Sequence, residues 1–225
     1  MDEGNKYPWS IYTLKRGSGN VSTTRYVLYV TQIAVLVILA YLSIVLLGPL
    51  SYSGISFFYF VASFQLLFTM WWGIWGVIGS YLSLVIGSGL LVGLGVVPSL
   101  LTALSAIIGT AIPFIIYRGF LAKRGYDPLW RDLVFKEIDG VKAKRAGAWA
   151  WFIIINGIIV NAIATEIGLG FTYRLGLIPP GAFWFYWVGY FVGDLVPYII
   201  LMPILVAGLS GIVTRSGLVN KGWLT

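Results

Sequence analysis

Residues 26–117 read YVLYVTQIAVLVILAYLSIVLLGPLSYSGISFFYFVASFQLLFTMWWGIWGVIGSYLSLVIGSGLLVGLGVVPSLLTALSAIIGTAIPFIIY, 92 positions without one Asp, Glu, Lys or Arg, bounded by Arg25 and Arg118. A bilayer core about 30 Å thick takes about 20 apolar residues per helix, so this stretch divides into four passes with tight turns. Four passes return the chain to the side on which it started. Both flanking arginines belong to basic clusters, and cytoplasmic loops are the ones that collect Lys and Arg.

The rest of the 225 residues extends the same reading. The chain is 59% hydrophobic and 10% charged, which excludes an ordinary soluble domain. It contains no Cys and no His. Disulfides, thiolate or imidazole metal sites, and Ser-His or Cys-His catalytic pairs are therefore excluded. The formal charge of +7 is expected from the positive-inside bias and from anionic headgroups, so the lipid bilayer and not nucleic acid is the expected partner.

Residues 1–24 read as a polar cytoplasmic tail with no signal peptide. The expected spans run from Tyr26 to Leu47, from about Ile55 to Trp72, Trp75 to Leu94 and Ser99 to Tyr117, then Gly147 to Ile167 and Ala182 to Ile212. Gly48-Pro49 stops the first, and Ser51-Tyr52-Ser53-Gly54 turns the chain. The tryptophans of Trp71-Trp72-Gly73-Ile74-Trp75 place the second turn at the cytoplasmic surface. Within the polar loop 118–146, Asp127-Pro128 offers a helix start and Gly140 a stop. Leu129, Trp130, Leu133, Val134 and Ile138 would share one face of a short amphipathic helix lying on the membrane or docking a partner. The expected fold is thus all-α: a bundle of six transmembrane helices over 25–214, with both termini cytoplasmic, 215–225 a cytoplasmic tail, and fourteen of fifteen basic residues inside.

Chemistry in such a bundle is expected at its few polar positions. Gly76, Gly79, Ser83 and Gly87 on the third span and Gly189 and Gly193 on the last are read as helix-packing positions. Glu166 and Asp194 are the only acids in the second membrane block, and an intramembrane carboxylate costs several kcal/mol unless paired or hydrated. At 1.5 Å per residue Asn161 lies about 21 Å from the inner surface, Glu166 about 28 Å, and Asp194 about 18 Å below the outer one. Glu166 can be an end-of-helix acid paired with Arg174. Asp194 can be an interhelical hydrogen-bond partner of Asn156, Asn161 or Gln65, or it can line an outward pocket. In the second case Asp194, Asn161, Asn156, Glu166 and Gln65 would bind a small polar or cationic solute, covered by Trp184 or Trp187. No phosphate loop, paired-carboxylate site or cofactor motif is present, so no enzyme and no cofactor are expected.

Leu47-Gly48-Pro49, Trp72-Gly73-Ile74-Trp75-Gly76-Val77-Ile78-Gly79, and Trp187-Val188-Gly189-Tyr190-Phe191-Val192-Gly193-Asp194 followed by Met202-Pro203 carry a resemblance. In order and spacing the chain resembles the six-helix substrate-binding (S) components of energy-coupling-factor transporters, and it is similar to integral-membrane sensor domains of bacterial signalling proteins. The first resemblance implies a solute-binding transporter subunit in the cell membrane, partnered by other membrane subunits or a coupling ATPase module. The first span carries Ala34 and Ala40, six apart, where S components carry an alanine-xxx-alanine docking surface. The other class of function left open is a non-catalytic sensor or assembly subunit of a larger membrane complex.

Overall fold

Among the described residues, five helices are long and apolar enough to cross a bilayer: Thr23–Val45, Ile74–Val92, Val96–Arg124, Arg145–Arg174 and Phe183–Arg215. The computed structural model describes residues 7–17, 21–47, 51–52, 55–56 and 58–225. The expected stop at Gly48-Pro49 and the turn residues Ser53 and Gly54 lie outside them. Polarity is arranged for lipid. On the first helix, α1 (Thr23–Val45), Gln32 and Ser43 are buried with Tyr29, Leu36 and Ala40, whereas Val27, Val30 and Ile38 are exposed. An apolar outside around a partly polar inside is what a bilayer solvent demands, and the chain is a multi-pass membrane protein.

The second expected span takes a different form. A two-residue antiparallel pairing of β1 (Ser51–Tyr52) with β2 (Ile55–Ser56) replaces its first residues, and β2 packs against α8 (Phe183–Leu205). The helix itself, α2, covers only Val61–Trp72, about 18 Å at 1.5 Å per residue, too short for a bilayer. All of it except Phe64 is buried, among α1, α3, α5 and α8. A proline explains where α2 begins. Pro197 inside α8 has no N–H, so the carbonyl of Gly193 loses its helical donor. That carbonyl accepts the Tyr59 N–H instead, at 2.8 Å, which sets the start of α2 against the middle of α8.

Gly73 turns α2 into α3 (Ile74–Leu82) with φ +60° and ψ −127°, a backbone only glycine adopts readily, and an added Cβ there would collide with the Trp223 carbonyl. The expected third span continues through a π turn, Ser83–Gly87, and a 3₁₀ turn, Leu90–Val92. Its small residues let helices touch: a Cβ on Gly76 would enter the Thr69 backbone of α2, and one on Gly87 would meet the Val37 carbonyl of α1. A fourth span joins α4 (Val96–Thr102) to α5 (Leu104–Ile116) and a π turn, Tyr117–Leu121. The fifth joins α6 (Arg145–Phe152), an unusually long π segment, Ile153–Val160, and α7 (Asn161–Arg174), so it ends at Arg174 and not at Ile167. In the last, α8 runs through the π turn Val206–Ser210 into α9 (Gly211–Arg215).

No amphipathic helix forms in the loop after the fourth span, which corrects that expectation. Asp127 makes an Asx turn, accepting the Leu129 N–H at 3.0 Å, and Trp130 takes a left-handed φ of 59°, which ends any helix after one turn. Only a 3₁₀ turn, Arg131–Leu133, remains. Gly140, read from sequence as a helix stop, has positive φ together with Asp139, and the two close a two-residue hairpin between β3 (Glu137–Ile138) and β4 (Val141–Lys142). The apolar side chains turn into the protein: Leu129 and Trp130 are fully buried, and the Trp130 ring meets Tyr117 and Phe152 edge-on.

The terminal residues belong to the fold as well. Thr13 N–H bonds to the Lys221 carbonyl, and Trp223 N–H to that of Lys15. Together the 7–17 and 216–225 segments cover the end of the bundle where the Trp71–Trp75 turn lies. They also cap α2. Its last carbonyls would be orphans in the core, yet Arg118 Nη2 donates to Met70 O at 2.6 Å, Asn220 N–H to Trp71 O at 2.8 Å, and Asn220 Nδ2 to Trp72 O at 2.9 Å. Arg118 is therefore not a loop charge but a buried cap, 4.6 Å over the Phe114 ring.

Candidate functional site

A cavity of about 320 Å³ lies inside the bundle, in the half away from that capped end. Its depth follows from its walls: Leu94 between the third and fourth spans and Thr172 near the end of α7 line one side, while Gln65, Thr110 and Asn156 form the floor. Two interruptions in the helices shape it. The π geometry of 153–160 carries Asn156 and Val160 to the wall, and π turns of this kind often mark functional positions. Pro113 deprives the Gly109 carbonyl of its helical donor, and Gly109 lines the same space.

Asp194, Asn161, Asn156 and Gln65 are brought together on this wall. Their bonding differs. Asn161 Nδ2 donates to the Phe191 carbonyl at 2.8 Å, tying α7 to α8, and Gln65 Nε2 donates to Ser83 Oγ at 2.8 Å, tying α2 to the third span. Asn156 is 2% exposed, and neither atom of its amide has a hydrogen-bond partner among the described residues. Asp194 pairs with no cation among the described residues, where the ion pairs are Arg131–Asp127 and Arg131–Asp139. It makes no hydrogen bond to Asn156, Asn161 or Gln65. Gly193, beside it, is buried and holds Tyr59; Gly189 is buried one turn earlier.

Glu166, Trp184 and Trp187 do not belong to the site. Glu166 is exposed on α7, which continues past it to Arg174, and it forms no ion pair with Arg174. Trp184 is 69% exposed, and Trp187 stacks on Phe191 at 5.1 Å without lining the cavity. The aromatic wall consists of Tyr59, Tyr190 and Tyr198 instead. Tyr59 is fixed by a 2.6 Å bond to Ser88, and Tyr190, 44% exposed, stands at the rim. A signal for two of them was present: Tyr190, Asp194 and Tyr198 are spaced i, i+4, i+8 and so share one helix face. The same rule groups Asn161, Thr165, Gly168 and Thr172, all of which line the cavity.

Compared with family models, curated proteins and solved structures, the chain matches none. Its function must be argued from the site.

A second polar cluster lies outside the spans. Asp127 Oδ2 accepts from Arg131 Nε at 2.7 Å, and the Asp127 N–H reaches Asp132 Oδ2 at 3.1 Å. Burial raises the Asp127 carboxyl, against the lowering effect of Arg131. Burial, and then the neighbouring Asp127 charge, pushes Asp132 up to about 8. None of these three residues lines the bundle cavity, and the bonds of Asp127 to Leu129, Arg131 and Asp132 stay within the loop. The cluster holds the loop in shape.

Proposed function

We propose that the chain is the membrane-embedded solute-binding subunit of a transporter, and that the cavity is its binding site. The observation that carries this reading is Asn156: an amide with both atoms unpartnered, inside an apolar bundle, on the wall of a cavity of drug-fragment size. Burying such a group without partners costs several kcal/mol in hydrocarbon, and a polar solute is what would offset that. In this reading the bundle crosses the cell membrane six times, α2 with its flanking hairpin being the sixth crossing, and the capped, basic end faces the cytoplasm. The cavity then faces outward, as a capture site requires.

The alternative, a sensor or assembly subunit, rests on the small-residue rows of the third span and on the lack of a metal or catalytic set. Gly76, Gly79 and Gly87 approach α1 and α2 of this same chain, so they leave no row free for a partner. The test is to purify the protein gently, denature it and identify the released small molecules by mass spectrometry. Ala164→Phe, placed on the cavity wall, is the comparison. A polar solute released by the wild type and not by the variant supports the proposal; equal release from both, or release of lipid alone, overturns it.

A further inference from the structure

Resting on that reading, we infer that the site takes a small organic cation that also carries an amide-like donor and acceptor edge. Three independent features set the two requirements. The one acidic side chain on the cavity wall, Asp194, has no basic partner among the described residues. Tyr190 and Tyr198, one turn before and after it on α8, line the cavity with rings of the kind that attract cations, and Tyr59 adds a third ring. Asn156 supplies one unpartnered acceptor and one unpartnered donor on the opposing span, which a neutral amide or similar edge would satisfy together.

The competing electrostatic effect is the start of α2, held against Gly193 by the Tyr59 N–H. A helix N-terminus carries roughly half a positive charge, which offsets only part of the full negative charge that Asp194 carries when a cation binds and ionises it. No group of three acidic, His or Cys side chains that could hold a metal ion exists among the described residues.

Four probes of one ring size separate the two requirements: nicotinamide methylated on its ring nitrogen (cation with amide), nicotinamide (amide alone), N-methylpyridinium (cation alone) and nicotinate (anion). Binding is measured by calorimetry on dialysed wild-type protein in phosphatidylglycerol nanodiscs, where no cationic headgroup competes. The cationic amide should bind about tenfold or more tightly than each of the others. Asp194→Asn should weaken it by about thirtyfold and leave nicotinamide unchanged, while Asn156→Leu should reduce it to the level of N-methylpyridinium. Competition by added phosphatidylethanolamine would identify a lipid headgroup ammonium as the occupant and would overturn the amide requirement. The inference is overturned if nicotinamide or nicotinate binds as well as the cationic amide, if sodium ion alone reproduces the Asp194-dependent signal, or if no probe binds. The wild-type comparison needs no variant to fold. A neutral or anionic molecule released in the purification test would end the cation assignment while leaving the binding site intact; no released molecule and no bound probe would end both.

Discussion

Replacing Asn156 by leucine should stabilise the solute-free protein and abolish its response to solute. Leucine is close to asparagine in shape, and the position is 2% exposed between Ile155, 7% exposed, and the cavity. In the wild type the amide's donor and acceptor find no protein partner among the described residues, so water or solute must supply both. Exchanging an amide that depends on such partners for a side chain of similar size that needs none should gain about 1–2 kcal/mol, the range seen for buried polar groups with partial compensation. For a chain of this length, that corresponds to a rise of about 2–8 °C in the unfolding midpoint. The assay is thermal or denaturant unfolding in one detergent, with and without the wild type's co-purifying solute. The wild type should gain stability from the solute and Asn156→Leu should not. A leucine variant that melts lower than wild type would refute the reasoning, because it would mean that the amide holds the bundle together.

Further outcomes follow from the caps, the loop and the charge distribution. Asn220 Oδ1 accepts from the Tyr29 hydroxyl at 2.8 Å, so a double-mutant cycle of Asn220→Ala with Tyr29→Phe should return a coupling of about 1 kcal/mol in unfolding experiments, and a coupling near zero would remove this contact from the account. Asp132 titrates near 8 in the folded chain, against about 4 unfolded, so the folded state keeps a proton that the unfolded state releases; its contribution lowers stability as pH rises from about 4 to about 8 and is constant above that. Asp132→Asn should flatten that limb and be more stable than wild type at pH 9 by about 1–3 kcal/mol in unfolding titrations. Arg118→Leu leaves the Met70 and Gly222 carbonyls without their charged donor, and should cost about 2 kcal/mol and loosen the last residues to proteolysis. With no native cysteine to remove, Leu177→Cys should react with an impermeant maleimide in intact cells and Ser216→Cys should not; the reverse pattern would invert the proposed orientation.

The spans were legible because lipid imposes one simple requirement, long uncharged runs, and because 26–117 meets it without interruption. The shortness of α2 was not. A segment apolar on every side gives no periodicity from which depth can be read, and what sets its start is a carbonyl freed by Pro197, over 130 residues away in the sequence. The loop was misread where two signals compete: Asp127-Pro128 is compatible with a helix start, but the Asp139-Gly140 hairpin and the left-handed Trp130 direct the chain elsewhere. At the site, Asp194, Asn161, Asn156 and Gln65 stood out because polar groups in spans are rare. The tyrosines did not, since Tyr is ordinary at membrane interfaces and only its spacing from Asp194 sets Tyr190 and Tyr198 apart. Arg118 looked like a loop charge because its partners are backbone carbonyls, which no sequence pattern marks.

An experimental structure of the protein purified without added ligand tests the central claim most directly. The account predicts compact, non-lipid density in the cavity, within hydrogen-bonding distance of the Asn156 amide and close to Asp194, and its disappearance in Ala164→Phe. A cavity filled by an acyl chain, or closed by side chains with Asn156 and Asp194 bonded to each other, would contradict it.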